Sequence, residues 1–397
     1  MSTAATDIYY DPYDFTIDQD PYPVWTRMRE EMPLYYNERY DFYALSRYAD
    51  VEEASVDWQT YTSSKGILME MVKAGIPTPP GLFIAEDPPQ HDMHRLILSR
   101  AVTPRRVRVL EARIRELCAE YLDPLVGSGR FDLMQDFASH LPMRVIGALV
   151  GIPDEYLLNL RDHVEESARL TEEKPQDEQR LPSIGEPYAP FLKYRKANPA
   201  DDFLTTLIQA RFTDVFTKEE RGLTDAEILN YVGMLYAAGV ETTARLIGWL
   251  GKVLSDNPAQ RAEVVADRSL VANTVEETLR FEVPSPIQVR VTVKPVELHG
   301  QTVEEGKIVT LLTGAANRDP RVFSDPDTFD IHRKIDAHLT FGKGVHYCFG
   351  AALARIEGRI ALEEFLARFS DWHVDMSEAE LIHTATIRGF HKLPLEI

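Results

Sequence analysis

The feature that most limits how this chain can fold is a short loop that carries one of its two cysteines. The segment FGKGVHYCFG, residues 341–350, places Cys348 among glycines, a histidine and aromatic residues. Gly342 and Gly344 permit a positive φ and a close approach of the backbone to a flat or bulky group. The apolar periodicity that follows predicts a helix. Cys348 is therefore expected just before a helix N-terminus, where backbone N–H groups lower the pKa of a thiol and favour a metal-binding thiolate.

Three chemistries are open to this cysteine from the residues alone. A zinc site needs three or four ligands, but only His346 accompanies Cys348, and the pair His91 and His94 lacks an HExxH motif. A cysteine nucleophile needs a base, and residues at i and i+2 of an extended loop point to opposite sides, which places His346 poorly. A haem iron needs one thiolate, because the porphyrin supplies the four in-plane ligands. We favour the haem iron.

Composition narrows the classes of function. The 397 residues include 43 basic and 63 acidic ones, a net charge of −20, which argues against binding nucleic acid. No apolar stretch approaches the length of a membrane span, and the polar N-terminus shows no signal peptide, so we expect no membrane insertion and a cytoplasmic protein. The two cysteines provide no disulfide framework. No shift in composition marks a boundary, so residues 1–397 are expected to form a single domain.

Helices dominate the predicted secondary structure. They are predicted over residues 104–126, 224–255 and 269–281. The longest begins at a capping box formed by Thr224 and Glu227 and ends before Asn257-Pro258. The second cysteine, Cys118, lies on a helix beside apolar residues and is expected in the core.

Strands form a minority of the chain, with no regular βαβ alternation. Residues 33–48 predict two short strands with a turn, and residues 289–312 predict strands around a turn at His299-Gly300. The apolar, methionine-rich residues 66–83 predict a loop that needs a cover of core or ligand. The charged, proline-rich residues 171–190 predict a mobile connection. The fold class expected is mainly α with small β-sheets.

The loop and its helix, FGKGVHYCFGAALAR at 341–355, resemble the haem-binding signature of the cytochrome P450 family, F-G-x-G-x-H-x-C-x-G-x-x-L-A-R, with every fixed position filled. Three further segments resemble family motifs in the expected order: the haem-facing helix at 86–107, the centre of the oxygen-activating helix at 238–243 (AGVETT), and an E-x-x-R pair at 277–280. The resemblance implies the cytochrome P450 fold, with a long central helix over haem b, and the activity of a soluble, bacterial-type monooxygenase.

The resemblance also assigns roles to residues. It implies that Cys348 is the metal ligand and that the residues which contact haem or its propionates are His91, Arg95, Arg290, Phe341, His346, Cys348 and Gly350. Glu277, Arg280 and Arg333 would form a network that supports the cysteine loop. Glu241 and Thr242 resemble the acid–alcohol pair that handles protons during catalysis. Peroxygenase relatives carry Arg-Pro at this pair, so we expect O2 as co-substrate.

The substrate is expected to be a hydrophobic small molecule. The residues that match pocket-lining positions of the family are Met69, Leu82, Phe83, Met234, Ala238, Ile287, Thr386 and Ile387. His94 is a departure from the family pattern, which commonly has an aliphatic residue at this position.

The chain lacks a flavin domain, a Rossmann fingerprint and an iron–sulfur cysteine set. The resemblance therefore implies electrons from NAD(P)H through a ferredoxin reductase and an acidic ferredoxin. Residues 95–115 hold seven arginines and one acid, which predicts either a solvated helix face or a docking patch. The predicted patch consists of Arg100, Arg105, Arg106, Arg108, Lys343 and Arg355. A monomer is expected.

Two other functions stay open. The first is the same fold carrying out phenol coupling, desaturation or isomerisation instead of oxygen insertion. A haem-binding sensor without turnover belongs to a different class, and both the Glu241-Thr242 pair and the arginine-rich stretch argue against it.

Overall fold

The computed structural model describes residues 8–102, 104–153, 156–157, 169–170, 172–175 and 184–397, and at residues 101 and 104–108 it describes the backbone alone. Helices account for most of the regular structure, as predicted. They are α1 Phe15–Gln19, α2 Tyr22–Glu31, α3 Tyr48–Val56, α4 Met69–Ala74, α5 Gln90–Ala101, α6 Pro104–Leu122, α7 His140–Val150, α8 Ala189–Ala197, α9 Phe203–Gln209, α10 Asp225–Asp256, α11 Pro258–Ala266, α12 Val271–Phe281, α13 Thr313–Ala316 and α14 Ala351–Arg368.

The strands form small sheets. They are β1 Leu34–Asn37, β2 Phe42–Leu45, β3 Tyr61–Thr62, β4 Arg130–Asp132, β5 Phe212–Thr213, β6 Glu220–Arg221, β7 Ile287–Thr292, β8 Val296–Leu298, β9 Gln301–Val303, β10 Ile308–Leu312, β11 His373–Val374, β12 Glu380–His383, β13 Arg388–Lys392 and β14 Pro394–Glu396. The largest sheet has five strands in the order β1-β2-β10-β7-β3. Its β2 and β10 pair in parallel, and its other neighbours pair antiparallel.

The long helix α10 organises the main core. Its N-terminus is closed by the predicted capping box, in which the Glu227 backbone N–H donates to Thr224 Oγ1 at 3.2 Å and the Thr224 backbone N–H donates to the Glu227 carboxylate at 2.7 Å. Its 32 residues span roughly 48 Å at about 1.5 Å per residue. Helices α7 and α14 pack along it, and the predicted core residue Cys118 is buried in the same cluster. The five-stranded sheet and α2 form a second apolar cluster.

Two details differ from the sequence prediction. The predicted loop at 66–83 contains helix α4, which is capped at its C-terminus by Gly75 with a φ of 63°. The helix predicted over 104–126 ends at Leu122, and a 3-10 turn follows at Asp123–Leu125. Of the predicted mobile connection at 171–190, residues 171 and 176–183 lie outside the described residues, whereas a 3-10 turn at Glu186–Tyr188 and the start of α8 occupy its end.

Where residues are described, no helix is both long and apolar enough to cross a membrane.

Candidate functional site

The cysteine loop is a tight turn closed by its own backbone. The Cys348 N–H donates to the carbonyl of Phe341 at 2.8 Å, while Gly342 and Gly344 have positive φ values of 65° and 71°. A Cβ at Gly344 would lie 3.0 Å from the backbone at the C-terminal end of α3. Glycine has no Cβ and so avoids this close contact. At Gly350 a Cβ would lie 4.0 Å from the Cys348 sulfur. The loop therefore presents the sulfur directly before α14, as the sequence predicted.

The pKa of the Cys348 thiol shifts in the direction opposite to the one expected from the sequence. Burial raises the pKa of the Cys348 thiol, although the backbone N–H of Gly350 and the charges of Arg95 and Arg355 act in the opposite direction. One side of the residue is nevertheless open to solvent. Desolvation outweighs the helix N-terminus here, and a metal ion would supply the missing positive charge that deprotonates the sulfur.

A group of desolvated basic side chains lies beside the loop. The ring centroids of His91 and His346 are 4.7 Å apart, and among the described residues the buried Nε2 atoms of both rings have no hydrogen-bond partner. Arg290 is buried and donates to the carbonyl of Val289 at 2.8 Å instead of to a carboxylate. Burial lowers the pKa of Arg290 to about 10.

The same surroundings act on His346. Burial lowers the pKa of His346 to about 4, and Arg290 and His91 contribute to this shift against the opposing effect of Asp87. Asp87 Oδ1 lies 3.9 Å from His346 Nε2. Buried ring nitrogens without a partner, next to a guanidinium that bonds no carboxylate among the described residues, are costly unless a polar ligand binds there. The cluster therefore fits a ligand with carboxylates, such as the two propionates of haem.

The structure places Arg95 on the cysteine loop itself. Its guanidinium donates to the carbonyls of Val345 at 3.3 Å and Tyr347 at 2.8 Å, and it lies 5.9 Å from the ring centroid of Phe349. These carbonyls take two of the five N–H donors of Arg95, and the propionate contact of Arg95 stays a prediction.

The predicted network of Glu277, Arg280 and Arg333 is present as a set of hydrogen bonds. Arg280 donates twice to the carboxylate of Glu277, at 2.7 Å for each bond, and Arg333 Nε donates to the same carboxylate at 3.1 Å. Glu277 and Arg280 are fully buried. The remaining donors of Arg280 reach the carbonyls of Asn317 and Pro326 at 3.0 and 2.9 Å. Helix α12 is thereby joined to the segment that leads into the cysteine loop.

The middle of α10 is exposed to solvent at one place. Ala238 is exposed and Thr242 is half-buried, whereas most neighbouring residues of this helix are buried. The Thr242 hydroxyl donates to the carbonyl of Ala238 at 2.6 Å. The threonine thus bonds its own helix in this structure while its surroundings leave room for a ligand.

Glu241, the other half of the predicted catalytic pair, is held in a buried ion pair. The carboxylate accepts a hydrogen bond of 2.5 Å from Arg245, one turn later on the same helix. Arg245 also donates to the carbonyl of Phe390 at 2.5 Å. Gly389 makes this possible, since a Cβ there would lie 2.7 Å from the side chain of Arg245.

The predicted pocket residues fall into more than one group. Ile287, Thr386 and Ile387 line one cavity together with Tyr10 and Trp25. Met69 packs in the same apolar cluster as Ile287. Leu82, Phe83 and Met234 belong to the main core.

Several cations of the predicted docking patch have acidic partners. Arg355 donates to Glu276 at 2.6 Å, and its guanidinium lies 4.4 Å above the ring of Phe341. Lys343 pairs with Glu52, whereas Arg100 is exposed. The side chains of Arg105, Arg106 and Arg108 lie outside the described residues.

Sequence reasoning missed three partners of the site. Arg245 had a signal, because an acid and a base at i and i+4 share a helix face. Glu276 and His338 had none: they meet across the fold, with His338 Nε2 at 3.2 Å from Glu276. The ring of His338 and the guanidinium of Arg355 both lie against Phe341. Within the described residues, no group of three or more His, Cys, Asp or Glu side chains is arranged to hold a metal ion.

Comparison with known proteins gives a consistent picture. The family described as "Cytochrome P450" has a sequence model that matches residues 152–395. The chain is 33% identical to the vitamin D(3) 25-hydroxylase of Pseudonocardia autotrophica over 404 residues, covering 100% of this chain and 98% of that protein. It is 32% identical to the cyclomarin C epoxidase CymV of Salinispora arenicola over 373 residues, covering 92% and 93% of the two chains.

A solved structure agrees with these relatives. The cytochrome P450 CYP109Q5 from Chondromyces apiculatus superposes with a TM-score of 0.85 at 31% identity, covering 98% of this chain and 97% of the other.

Proposed function

The chain belongs to the cytochrome P450 family of monooxygenases, and we propose that it inserts one oxygen atom from O2 into a hydrophobic small molecule with electrons from a ferredoxin. The observation that carries this proposal is the cysteine loop beside a buried basic cluster, in which the Nε2 atoms of His91 and His346 have no hydrogen-bond partner among the described residues. Cys348 would be the single protein ligand of the haem iron, and His91, Arg290 and His346 would bind the propionates. Bound haem supplies the activation of O2 and the oxygen insertion, which a thiolate ligand favours.

The residues of α10 would control protons at this site. Thr242 carries a hydroxyl that can exchange its bond to the Ala238 carbonyl for one to a ligand. Glu241 can take up and release a proton once its bond to Arg245 lengthens. Because Arg245 holds the carboxylate by charge, the proposed relay depends on the strength of this ion pair.

A hydrophobic substrate is supported by the side chains around the predicted pocket. Phe83 lies on the rings of His91 and Phe349, at centroid distances of 5.8 and 6.1 Å. Ile287 and Ile387 line a cavity together with Tyr10 and Trp25. Two relatives are named for the hydroxylation of vitamin D3 and the epoxidation of cyclomarin C, and we infer that this chain also takes a largely apolar substrate.

We propose ferredoxin as the electron donor because the surface around Cys348 combines exposed apolar residues with cations. Leu96 and Tyr347 are exposed there next to Arg95 and Arg100. Apolar residues rimmed by cations suit a small acidic partner.

The first test is spectroscopic. We expect the reduced, CO-bound protein to show the red-shifted Soret band of thiolate ligation. Cys348→Ser should lose this band, because an alcohol oxygen does not replace the thiolate. Cys118→Ser is the matched control and should keep it, since Cys118 is buried and burial raises the pKa of its thiol to about 12. A normal band in the Cys348 variant would end the proposal.

A further inference from the structure

A buried polar cluster links the haem-facing helix α5 to two other elements through His94. Its Nδ1 lies 2.6 Å from Oε2 of Glu86, and its Nε2 lies 3.7 Å from Oε1 of Glu227. All three side chains are buried. Each nitrogen of the ring thus faces a different carboxylate, one on the segment before α5 and one on the first turn of α10.

The Glu227 side of the cluster is fixed independently. Arg221 donates to both oxygens of Glu227, at 2.9 and 2.8 Å, and to Asp214 at 2.8 Å. Burial works to raise the pKa of Glu227, but Arg221 and Thr224 outweigh it and the pKa is lowered. Glu227 therefore provides a fixed negative charge toward which His94 is directed.

The Glu86 side of the cluster belongs to a segment that covers the site. We name residues 80–86 the cover segment. The carbonyl of Pro80 accepts a hydrogen bond from Asn230 at 2.8 Å, and Gly81, with a φ of 83°, leaves no space for a Cβ, which would lie 2.9 Å from the backbone of Glu227. The two ends of the cover segment are thus attached to α10, one directly and the other through Glu86 and His94.

The cover segment also touches the proposed haem site. Phe83 lies between these two attachments and contacts the rings of His91 and Phe349. Phe349 directly follows the cysteine that would bind iron. Gln90, at the start of α5, also donates to the carboxylate of Glu86 at 3.0 Å. Loss of His94 would therefore leave Glu86 bonded to α5 but without its link to α10.

We propose that His94 is a positioning residue that fastens the cover segment to α5 and to the N-terminal turn of α10, and that this attachment sets how fast bulky ligands reach the haem site. The inference rests on the proposed function, because it assumes that haem binds at Cys348. A hydrogen bond to a charged partner typically stabilises the closed arrangement of the cover segment. Its removal is therefore expected to speed opening of the segment by about tenfold.

The experiment uses the haem-loaded protein and two probes that bind iron, imidazole and the triaryl-substituted clotrimazole. Association and dissociation rates are followed by stopped flow as shifts of the Soret band. The variants are His94→Leu, which removes both nitrogens, and His94→Asn, whose amide keeps a donor near the Nδ1 position. His332→Leu is the control, since His332 pairs with Glu263 on the surface.

We expect His94→Leu to raise both rates for clotrimazole by about tenfold, His94→Asn to recover part of the wild-type rates, and imidazole to bind as in the wild type. A double variant, His94→Leu with Glu86→Leu, removes the buried carboxylate as well, so it decides the matter if the single variant does not fold. Its clotrimazole rates should equal those of His94→Leu.

Unchanged clotrimazole rates in the double variant would overturn the inference. An equal change for both probes would overturn it too, because it would indicate a general disturbance of the site. Failure of wild-type protein to bind haem through Cys348 would instead contradict the proposed function, so the two failures are distinguishable.

Discussion

At the scale of single residues, Glu241 is constrained by its own helix. Its carboxylate is buried and bonded to Arg245, while the neighbouring Thr242 bonds a backbone carbonyl. Each side chain must exchange a present partner to act on a ligand. The two exchanges differ in kind. Freeing Glu241 separates two opposite charges, whereas freeing Thr242 replaces a neutral hydrogen bond.

The two variants should therefore fail differently. Thr242→Ala should still bind substrate and accept electrons but release much of the reducing power as hydrogen peroxide, because the hydroxyl that directs protons is gone. Glu241→Gln should slow turnover, with losses of about 10²–10⁴-fold typical for a proton-transfer group. The measurement is product formed per NADH consumed, together with the peroxide yield. Thr242→Ser keeps the hydroxyl and should stay coupled; wild-type rate and coupling in both test variants would exclude this pair from proton handling.

At the scale of elements, helix α12 is joined to the chain before the cysteine loop through a buried ion pair. Glu277 and Arg280 are fully buried, and Arg333 completes the network from a distant segment. Removal of one partner leaves a buried charge without compensation.

We expect Glu277→Ala and Arg280→Ala to lose about 3–5 kcal/mol of folding free energy and most of their haem content. Haem loading is measured from the ratio of Soret to protein absorbance, and stability from urea unfolding. Arg113→Ala is the control, because Arg113 and Glu116 form an exposed pair of the same i, i+3 spacing. Full haem loading in either buried variant would show that the network does not support the loop.

A second junction, between α12, α14 and the cysteine loop, predicts a pH dependence. Burial works to raise the pKa of Glu276, but His338 and Arg355 outweigh it and lower the pKa from 4.5 to about 2. A carboxylate with a depressed pKa stabilises the fold above its unfolded-state pKa, and this contribution disappears as the pH falls toward the folded-state pKa.

Glu276→Gln should therefore cost about 1–2 kcal/mol at neutral pH, allowing for partial exposure, and the difference should shrink as the pH falls below about 4.5. Free energies of unfolding in urea at a series of pH values provide the measurement. Glu263→Gln, at the surface pair with His332, should have little effect. A constant difference between wild type and Glu276→Gln at all pH values would contradict the assignment.

At the scale of the whole molecule, charge is unevenly distributed. The net charge is −20, yet residues 95–115 hold seven arginines. Of these, Arg113 and Arg115 pair with acids, whereas Arg100 is exposed close to the cysteine face. Among the described residues of the predicted patch, Lys343 and Arg355 also pair with acids, which leaves Arg100 as the cation to test for docking of an acidic ferredoxin.

Arg100→Glu should lower the rate of electron transfer from ferredoxin several-fold at low ionic strength, and less at high salt, because screening weakens the attraction. Stopped-flow reduction under CO at several salt concentrations measures this rate. Lys193→Glu changes an exposed cation on α8 and should leave the rate unchanged. An unaltered rate and salt dependence in Arg100→Glu would place the docking site elsewhere.

The sequence alone was sufficient for the fold class, the cysteine loop, the long helix and its capping box, and the Glu277–Arg280 contact. These features depend on short-range spacing, which the chain carries in consecutive residues. The single domain and the monomer stay predictions.

Only the tertiary structure decided which groups from distant segments meet. It paired His94 with Glu86 and Glu227, placed Arg290 beside His91 and His346, and surrounded Phe341 with partners that the sequence did not indicate. It also reversed the expected direction of the Cys348 thiol pKa. Burial and long-range contacts set these properties, and neither follows from local spacing, because desolvation depends on every element packed around a group.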